Sequence, residues 1–325
     1  MAILNQRELR ERGAAIAEGC RSENRRLVLL YCGVTALLTL GSNGLHLYLD
    51  SYIGGTGGLS GLGVRSVLQT VQELLTYINF FFSPFWTAGF VYAMLSLVRG
   101  RTPGLTDLLA GFRRFGRVMG HMAFQFLVLV SLVVAAVNVA TVIFSFTPLS
   151  VDFSEKMGPL LSDPAILTAD GAVDLSKIPM DAMLSATLPL LILTGALLAP
   201  VCIWLSYCFR MSVYLVMEQP ISGVRAHFES ARLMRGHKWQ MFRLDLSFWW
   251  YHALGLLIAV VGYLDVILTT LGIPLPMDAT GMFFLTLGAY CVLQTGLFLW
   301  KKCQVDAAYM LAYEAIAHPQ TVECE

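Results

Sequence analysis

Charged side chains within or beside strongly apolar segments are the first candidates for chemistry. Asp265 stands inside the apolar run "VVGYLDVILTT", Arg210 ends another apolar run, and Asp245 begins a third. A charge in hydrocarbon costs free energy, so it usually pairs with an opposite charge or marks a site. Arg210 could bind a carboxylate or phosphate, and we expect Asp245 to pair with Arg210 or Arg243. In the alternative interpretation, Asp265 lies near the outer head groups and Arg210 extends to the membrane surface.

Metal and cofactor chemistry find little support in the sequence. Three histidines near the predicted helix ends lack the i, i+4 spacing of a zinc motif: His121, His237 and His252. No P-loop, dinucleotide-binding fingerprint or kinase signature is present. We therefore predict no catalytic residue, no metal and no cofactor. Polar side chains inside the apolar runs are expected to form interhelical hydrogen bonds: Asn79, Gln125, Asn138 and Gln294.

The amino-acid composition indicates that membrane-spanning helices position these charged and polar residues. Hydrophobic residues make up 56% of the 325 positions and charged residues only 14%. This excludes a typical soluble enzyme and a nucleic-acid-binding chain. Six apolar runs reach the length of about 20 residues that a membrane span needs. The predicted fold is an all-α, polytopic membrane protein with spans at 27–48, 77–98, 122–146, 184–208, 246–271 and 282–300.

The basic residues predict the orientation of these spans. Of the 22 basic residues, only Arg65, Lys156 and Lys177 fall outside the segments assigned to one face. The long link 148–183 on the opposite face is acidic. By the positive-inside rule, both termini are cytoplasmic. The apolar run after Arg26 is too long for a cleavable signal peptide, and a bacterial plasma membrane is the simplest location.

Basic segments between the spans are predicted to form amphipathic helices at the membrane surface. They are a segment at 1–26, a helix over 104–119 and a second helix after Pro220. The last span is predicted to continue into a cytoplasmic helical tail at 301–325. The candidate lipid- or partner-binding residues on the amphipathic helices are Arg113, Arg114, Arg117, Lys238 and Trp239. An alternative interpretation is a threefold repeat of a basic helix and two spans, over 1–100, 101–217 and 218–325.

One stretch, 210–250, resembles a known family. Its sequence contains Glu218-Gln219-Pro220, then Met234, Gly236, Lys238 and Trp239, then Leu244, Leu246, Ser247 and Phe248. These residues are similar to the signature of an uncharacterised bacterial integral-membrane family, domain of unknown function 975. "GFRRFGR" at 111–117 and "CQVDAAYMLAYEAI" at 303–316 resemble further parts of that family. The resemblance implies a polytopic helical membrane protein and no assigned activity.

Three functions are compatible with this sequence. We expect a non-enzymatic scaffold that binds anionic lipid head groups, a membrane-protein partner or a second copy through its basic face. A transporter or permease subunit is the first alternative, and it predicts a polar cavity reaching Asp265 or Arg210. A membrane-embedded enzyme acting on lipids is the second, and it requires catalytic groups that converge at one depth.

Overall fold

A computed structural model describes residues 5–19, 21–55, 62–161, 180–271, 273 and 279–318, and these residues form helices and no strand. The order is α1 (Gln6–Gly19), α2 (Arg21–Gly55), α3 (Leu62–Val98), α4 (Leu105–Leu108), α5 (Ala110–Arg113), α6 (Phe115–Ser145), α7 (Leu149–Leu161), α8 (Met180–Phe209), α9 (Ser212–Glu218), α10 (Gly223–Leu233), α11 (Lys238–Ser247), α12 (Trp249–Gly262), α13 (Leu264–Thr270), α14 (Ala279–Leu297), a π-helical turn (Phe298–Lys302) and α15 (Cys303–Ala317).

Several of these helices are long and apolar enough to cross a membrane. Among the described residues there are five, at Ser22–Gly44, Thr76–Val98, Phe115–Ser145, Thr187–Glu218 and Gly281–Ala317. A sixth results if α11 and α12 are counted as one span. The prediction of an all-helical chain with several membrane-compatible helices is thus confirmed, with five or six spans.

The predicted fifth span, 246–271, is not one straight helix. The axes of α11 and α12 differ by 67°. Phe248 joins them with φ −111° and ψ 20°, which is outside the helical range, and its side chain is buried. A second break at Tyr263 separates α12 from α13. The 67° bend thus lies at the beginning of the predicted span, and the break at Tyr263 divides the rest of it into two helices.

The chain divides into two compact units, residues 1–121 with 210–325, and residues 122–209. The second unit consists of most of α6, then α7 and α8. Its surface is apolar, with Phe126 and Leu127 60% and 64% exposed. Such exposure suits contact with hydrocarbon rather than with water.

The first unit has its core around α15. Ala307, Ala308 and Tyr313 are fully buried. α1 packs tightly on this helix, since a Cβ at Gly13 would lie 2.9 Å from the carbonyl oxygen of Gln304. The predicted tail 301–325 is therefore largely part of this unit as far as His318.

The predicted amphipathic helix over 104–119 is wrong as one element. The segment forms the short helices α4 and α5 and the first residues of α6. Leu108 is fully buried, whereas Leu105, three residues earlier in the predicted helix, is 65% exposed. The reason is a close approach to α3, where a Cβ at Gly89 would lie 1.7 Å from the Leu108 carbonyl oxygen. Backbone contact this close requires glycine at position 89.

Part of the predicted acidic link 148–183 is helical. α7 occupies its first third and α8 begins at Met180. The acidic residues Asp163, Asp170 and Asp174 lie outside the described residues, as does the glycine-rich stretch 56–61.

Candidate functional site

Arg210 and Asp245 form a bidentate ion pair in the first unit. Arg210 Nη1 donates to Asp245 Oδ2 at 2.7 Å, and Nη2 donates to Oδ1 at 2.6 Å. Arg210 lies where α8 ends and α9 begins, and Asp245 lies in α11. The helix break is stabilised because the Met211 amide donates to the buried Ser230 hydroxyl at 3.0 Å. Of the two partners predicted for Asp245, the structure shows Arg210.

Two further side chains complete this arrangement, which we call the arginine cluster (Arg210, Asp245, His252 and Tyr309). The Tyr309 hydroxyl donates to Asp245 Oδ1 at 2.7 Å, and the Arg210 guanidinium carbon lies 4.5 Å from the centre of the Tyr309 ring. His252 Nε2 lies 3.2 Å from the Tyr309 hydroxyl. The carboxylate thus neutralises the guanidinium, and the cluster ties α11, α12 and α15 to the break after α8.

A second polar group, the carboxylate cluster, contains Arg99, Glu218, Tyr313, Glu314 and His318. Arg99 Nε donates to Glu314 Oε1 at 2.7 Å, and Arg99 Nη2 also pairs with Glu218. The Tyr313 hydroxyl donates to Glu218, and His318 Nε2 lies 3.2 Å from Glu218 Oε1.

Electrostatics favour the charged form of the cation in this cluster. Burial lowers the pKa of Arg99, but hydrogen bonds to Glu314 and Glu218 outweigh burial and raise the pKa above its ordinary value. Sequence reasoning missed this cluster as a unit. The one available signal was Glu218, which belongs to the motif that resembles the family signature.

Lys302, assigned to the basic face by its charge, lies inside the first unit. Its Nζ is 3.0 Å from Asp306 Oδ2, and it lies 4.7 Å and 4.9 Å from the ring centres of Phe298 and Phe90. The π-helical turn carries Lys302 and ends just before α15. Such turns insert one residue into a helix and often position functional side chains.

His121 and His237, two of the three histidines considered as metal ligands, contact other side chains in the structure. The His121 ring stacks on that of His227 with the centroids 4.4 Å apart, and His227 Nε2 lies 3.2 Å from the His121 carbonyl oxygen. Burial lowers the pKa of His227, although the backbone hydrogen bond partly opposes this. His237 Nδ1 lies 3.1 Å from Gln240 Oε1. Across the described part of the chain, no three potential ligand side chains are grouped to hold a metal.

The predicted basic residues near α5 divide between surface and packing. Arg113 is exposed. The Arg114 guanidinium carbon lies 4.4 Å from the centre of the Tyr92 ring. Arg117 Nη1 donates to the Gln219 carbonyl oxygen at 3.2 Å. Arg114 and Arg117 therefore have structural contacts, while Arg113 presents its charge to the outside.

Residues 224–249, which we call the basic–aromatic segment, expose large aromatic side chains beside cations. Phe228 is 63% exposed, and Trp239 and Trp249 are each 64% exposed. The side chains of Arg225 and Arg232 are 70% and 71% exposed. Lys238, at the start of α11, is half-buried. Gly236 has φ 84°, which permits the sharp turn between α10 and α11 and accounts for the glycine in the resembling motif.

Asp265 does not join the arginine cluster. It lies in the first turn of α13, on the far side of α12 from Asp245. A helix of 14 residues is about 21 Å long, so α12 keeps the two carboxylates well apart. Asn79 Nδ2 lies 3.4 Å from the Ser42 hydroxyl of α2, whereas Asn138 donates to the Val134 carbonyl oxygen of its own helix at 2.7 Å.

A cleft with a volume of about 560 Å³ lies between α2 and α3. Polar side chains line much of it, including Thr35, Ser42, Asn43 and Asn79. Neither Arg210 nor Asp265 belongs to its lining. The residues proposed from sequence therefore do not converge on this cleft.

Comparison with known proteins agrees with the motif at 210–250. No curated protein and no solved structure matches the chain. One family profile, described as "Protein of unknown function (DUF975)", matches residues 4–301. This match covers most of the 325 residues and confirms the resemblance at 210–250 and 111–117, whereas 303–316 lies beyond the matched residues. The chain belongs to the DUF975 family.

Proposed function

We propose that the protein is a non-enzymatic, multi-pass membrane protein that binds anionic lipid head groups through its basic–aromatic segment. The observation that carries the proposal is the exposure of Phe228, Trp239 and Trp249 along this segment. Arg225 and Arg232 are also exposed on the helix that carries Phe228, where both pair with the single carboxylate of Glu229 and leave a net positive charge. Exposed aromatic residues of this kind anchor at the level of the head groups. Each nearby Lys or Arg adds about 1 kcal/mol of attraction to an anionic surface.

The basic segments belong on the cytoplasmic side in this proposal. Arg113 and the basic–aromatic segment follow helices that are long and apolar enough to span a membrane. The positive-inside rule then gives cytoplasmic termini, and a bacterial plasma membrane is the proposed location. A partner protein or second copy that presents an acidic surface could use the same charges, and it would not require a preference for anionic over zwitterionic lipid.

The test is lipid binding by the full-length protein. Purified protein in detergent is titrated with phosphatidylglycerol and with phosphatidylcholine, and bound lipid is counted by native mass spectrometry. We expect a preference for phosphatidylglycerol that falls at least about threefold when Arg225 and Arg232 are both replaced by Gln. Arg7→Gln is the matched control, because Arg7 is 86% exposed on α1.

The outcome also separates lipid from protein partners. Equal affinity for both lipids, or equal loss in the Arg7→Gln control, would reject lipid binding by this segment. Substitutions are preferable to deleting 104–119, because Leu108 and Gly111 pack against α3 and their loss would disturb the fold.

The cleft between α2 and α3, which holds hydroxyl and amide groups among apolar side chains, favours transport as a second candidate function. Its hydroxyl and amide side chains could bind a small polar solute at membrane depth. Asn79→Leu would then abolish solute-dependent thermal stabilisation of the protein in a screen of small polar metabolites. An absence of any stabilising solute in the unsubstituted protein would count against transport through this cleft.

A further inference from the structure

A pocket outside the proposed lipid surface lies where α1 ends, α2 begins and the π-helical turn passes. Its volume is about 250 Å³. Pockets for drug-sized ligands are typically larger, about 300–1,000 Å³. This size suits a small polar head group whose acyl chains remain outside. We call it the α1–α2 pocket.

A buried acceptor in this pocket lacks a donor. Asn24 lines the pocket and is only 3% exposed. Its Nδ2 donates to the Ala17 carbonyl oxygen at 3.1 Å, which fixes the orientation of the amide. Its Oδ1 has no hydrogen-bond partner among the described residues. Buried polar atoms are rarely left unsatisfied. Oδ1 is covered by its neighbours, so a ligand with an N–H or O–H donor completes this site only by displacing the side chains over it.

Charges of both signs line the same pocket. Arg25 and Lys301 supply cations, and Glu18 supplies an anion. Lys301 Nζ donates to Gln304 Oε1 at 2.8 Å, which positions its ammonium beside the pocket. A simple anion would not use Glu18 or the Asn24 acceptor, and a simple cation would not use Arg25 or Lys301. The lining fits a ligand that carries both a phosphate and a primary ammonium.

The position of the pocket indicates a lipid as the source of that ligand. Trp300 lines the pocket, is 63% exposed, and lies about 20 residues into Gly281–Ala317, a helix that is long and apolar enough to span a membrane. Aromatic residues at such positions sit at the level of lipid head groups. We infer that the α1–α2 pocket binds the phosphoethanolamine head group of phosphatidylethanolamine. Arg25 and Lys301 contact the phosphate, while Glu18 and Asn24 Oδ1 accept hydrogen bonds from the ammonium.

The inference differs from the proposed function in both site and lipid. The test uses full-length protein in detergent and native mass spectrometry with phosphatidylethanolamine, its N,N-dimethyl derivative and phosphatidylcholine. Successive methylation removes ammonium donors, so affinity should fall in that order, by about tenfold in total. Glu18→Gln should remove most of the difference in affinity among the three lipids, whereas Arg25→Gln should weaken the binding of all three by the same factor.

Matched controls lie next to the altered residues. Glu23 and Arg26 are exposed on α2 and do not line the pocket. Glu23→Gln and Arg26→Gln should leave both affinity and discrimination unchanged. Equal binding of the three lipids, or equal effects of Glu18→Gln and Glu23→Gln, would overturn the inference.

Soluble phosphoethanolamine identifies the source of the head group. If the ligand is a lipid, this compound should compete only at concentrations far above those of the lipid, because the Trp300 surface contributes to binding. Competition at equal concentration would overturn the assignment to a lipid and assign the same pocket to a soluble aminophosphate. A loss of phosphatidylglycerol binding in the Arg225/Arg232 variant leaves this result untouched, so the two proposals fail separately.

Discussion

Removing one partner of the Arg210–Asp245 ion pair should destabilise the first unit. Breaking a buried pair leaves the other charge uncompensated and costs about 3–5 kcal/mol. The two side chains are 25% and 20% exposed, so water partly solvates the remaining charge. The Tyr309 hydroxyl, which donates to Asp245, also loses its acceptor. We therefore expect Asp245→Leu to lower the free energy of unfolding by about 2–3 kcal/mol.

The measurement is thermal unfolding of the purified full-length protein in detergent. A thiol-reactive fluorophore reports unfolding, because Cys32 and Cys208 are buried in the folded chain. At about 2–4 °C per kcal/mol for large domains, Asp245→Leu should lower Tm by about 4–12 °C. Arg243→Gln serves as the control, since Arg243 is exposed on the same helix.

A double-mutant cycle decides whether the pair is responsible. Arg210→Met and Asp245→Leu together remove both charges, so the double variant should be more stable than the sum of the single effects predicts by at least about 1 kcal/mol. Additive effects, or a Tm for Asp245→Leu within 1–2 °C (roughly 0.5 kcal/mol) of the unsubstituted protein, would refute the role assigned to this pair.

Three further perturbations test other contacts of the first unit. Gly89→Ala should displace α4 and lower the free energy of unfolding by about 2–4 kcal/mol, because the new Cβ would lie 1.7 Å from the Leu108 carbonyl oxygen. Gly41→Ala is the control and should change Tm little, because its Cβ would have nothing within 4 Å. Burial lowers the pKa of His227, so below about pH 6.5 the unfolded chain binds more protons than the folded chain. The free energy of unfolding should therefore fall as the pH falls from 7 to 5. His227→Gln should make this pH dependence less steep, and an unchanged slope would contradict the prediction. Arg99→Gln removes the cation that Glu218 and Glu314 share. Because the Arg99 side chain is 35% exposed, the free energy of unfolding should fall by only about 1–2 kcal/mol in the same thermal assay. A Tm equal to that of the unsubstituted protein would count against this prediction.

The membrane-compatible helices could be predicted because their signal is local. A run of about 20 apolar residues specifies a helix in hydrocarbon without reference to its neighbours. The bend at Phe248 has no such local signal for its angle, although it falls where a helix with charged residues, including Arg243 and Asp245, gives way to the apolar helix α12. The interruption between α4 and α6 likewise depends on the approach of Gly89 to Leu108, which joins separate helices.

The ion pairs of the polar clusters could be predicted only where a charged residue had few possible partners nearby in the sequence. Asp245 had two plausible cations nearby, and the structure shows Arg210. The Arg99–Glu314 pair joins positions 215 residues apart, and nothing in the sequence links them. Lysine is a residue type that usually lies at the surface. Lys302 nevertheless lies in the interior, where Asp306, one turn later in the helix, neutralises its charge. Charge type alone did not distinguish these environments.

The packing of α1 against α15 has a consequence for biosynthesis. These helices lie near opposite ends of the chain, and the Gly13 contact leaves no space between their backbones. At about 5–20 residues per second, α15 follows α1 from the ribosome by about 15–60 s. During that interval the intervening apolar helices can enter the membrane while α1 waits without its partner. Completion of the first unit, including the α1–α2 pocket, therefore awaits release of the last helix, and a nascent chain truncated before Cys303 would lack the surface against which α1 packs.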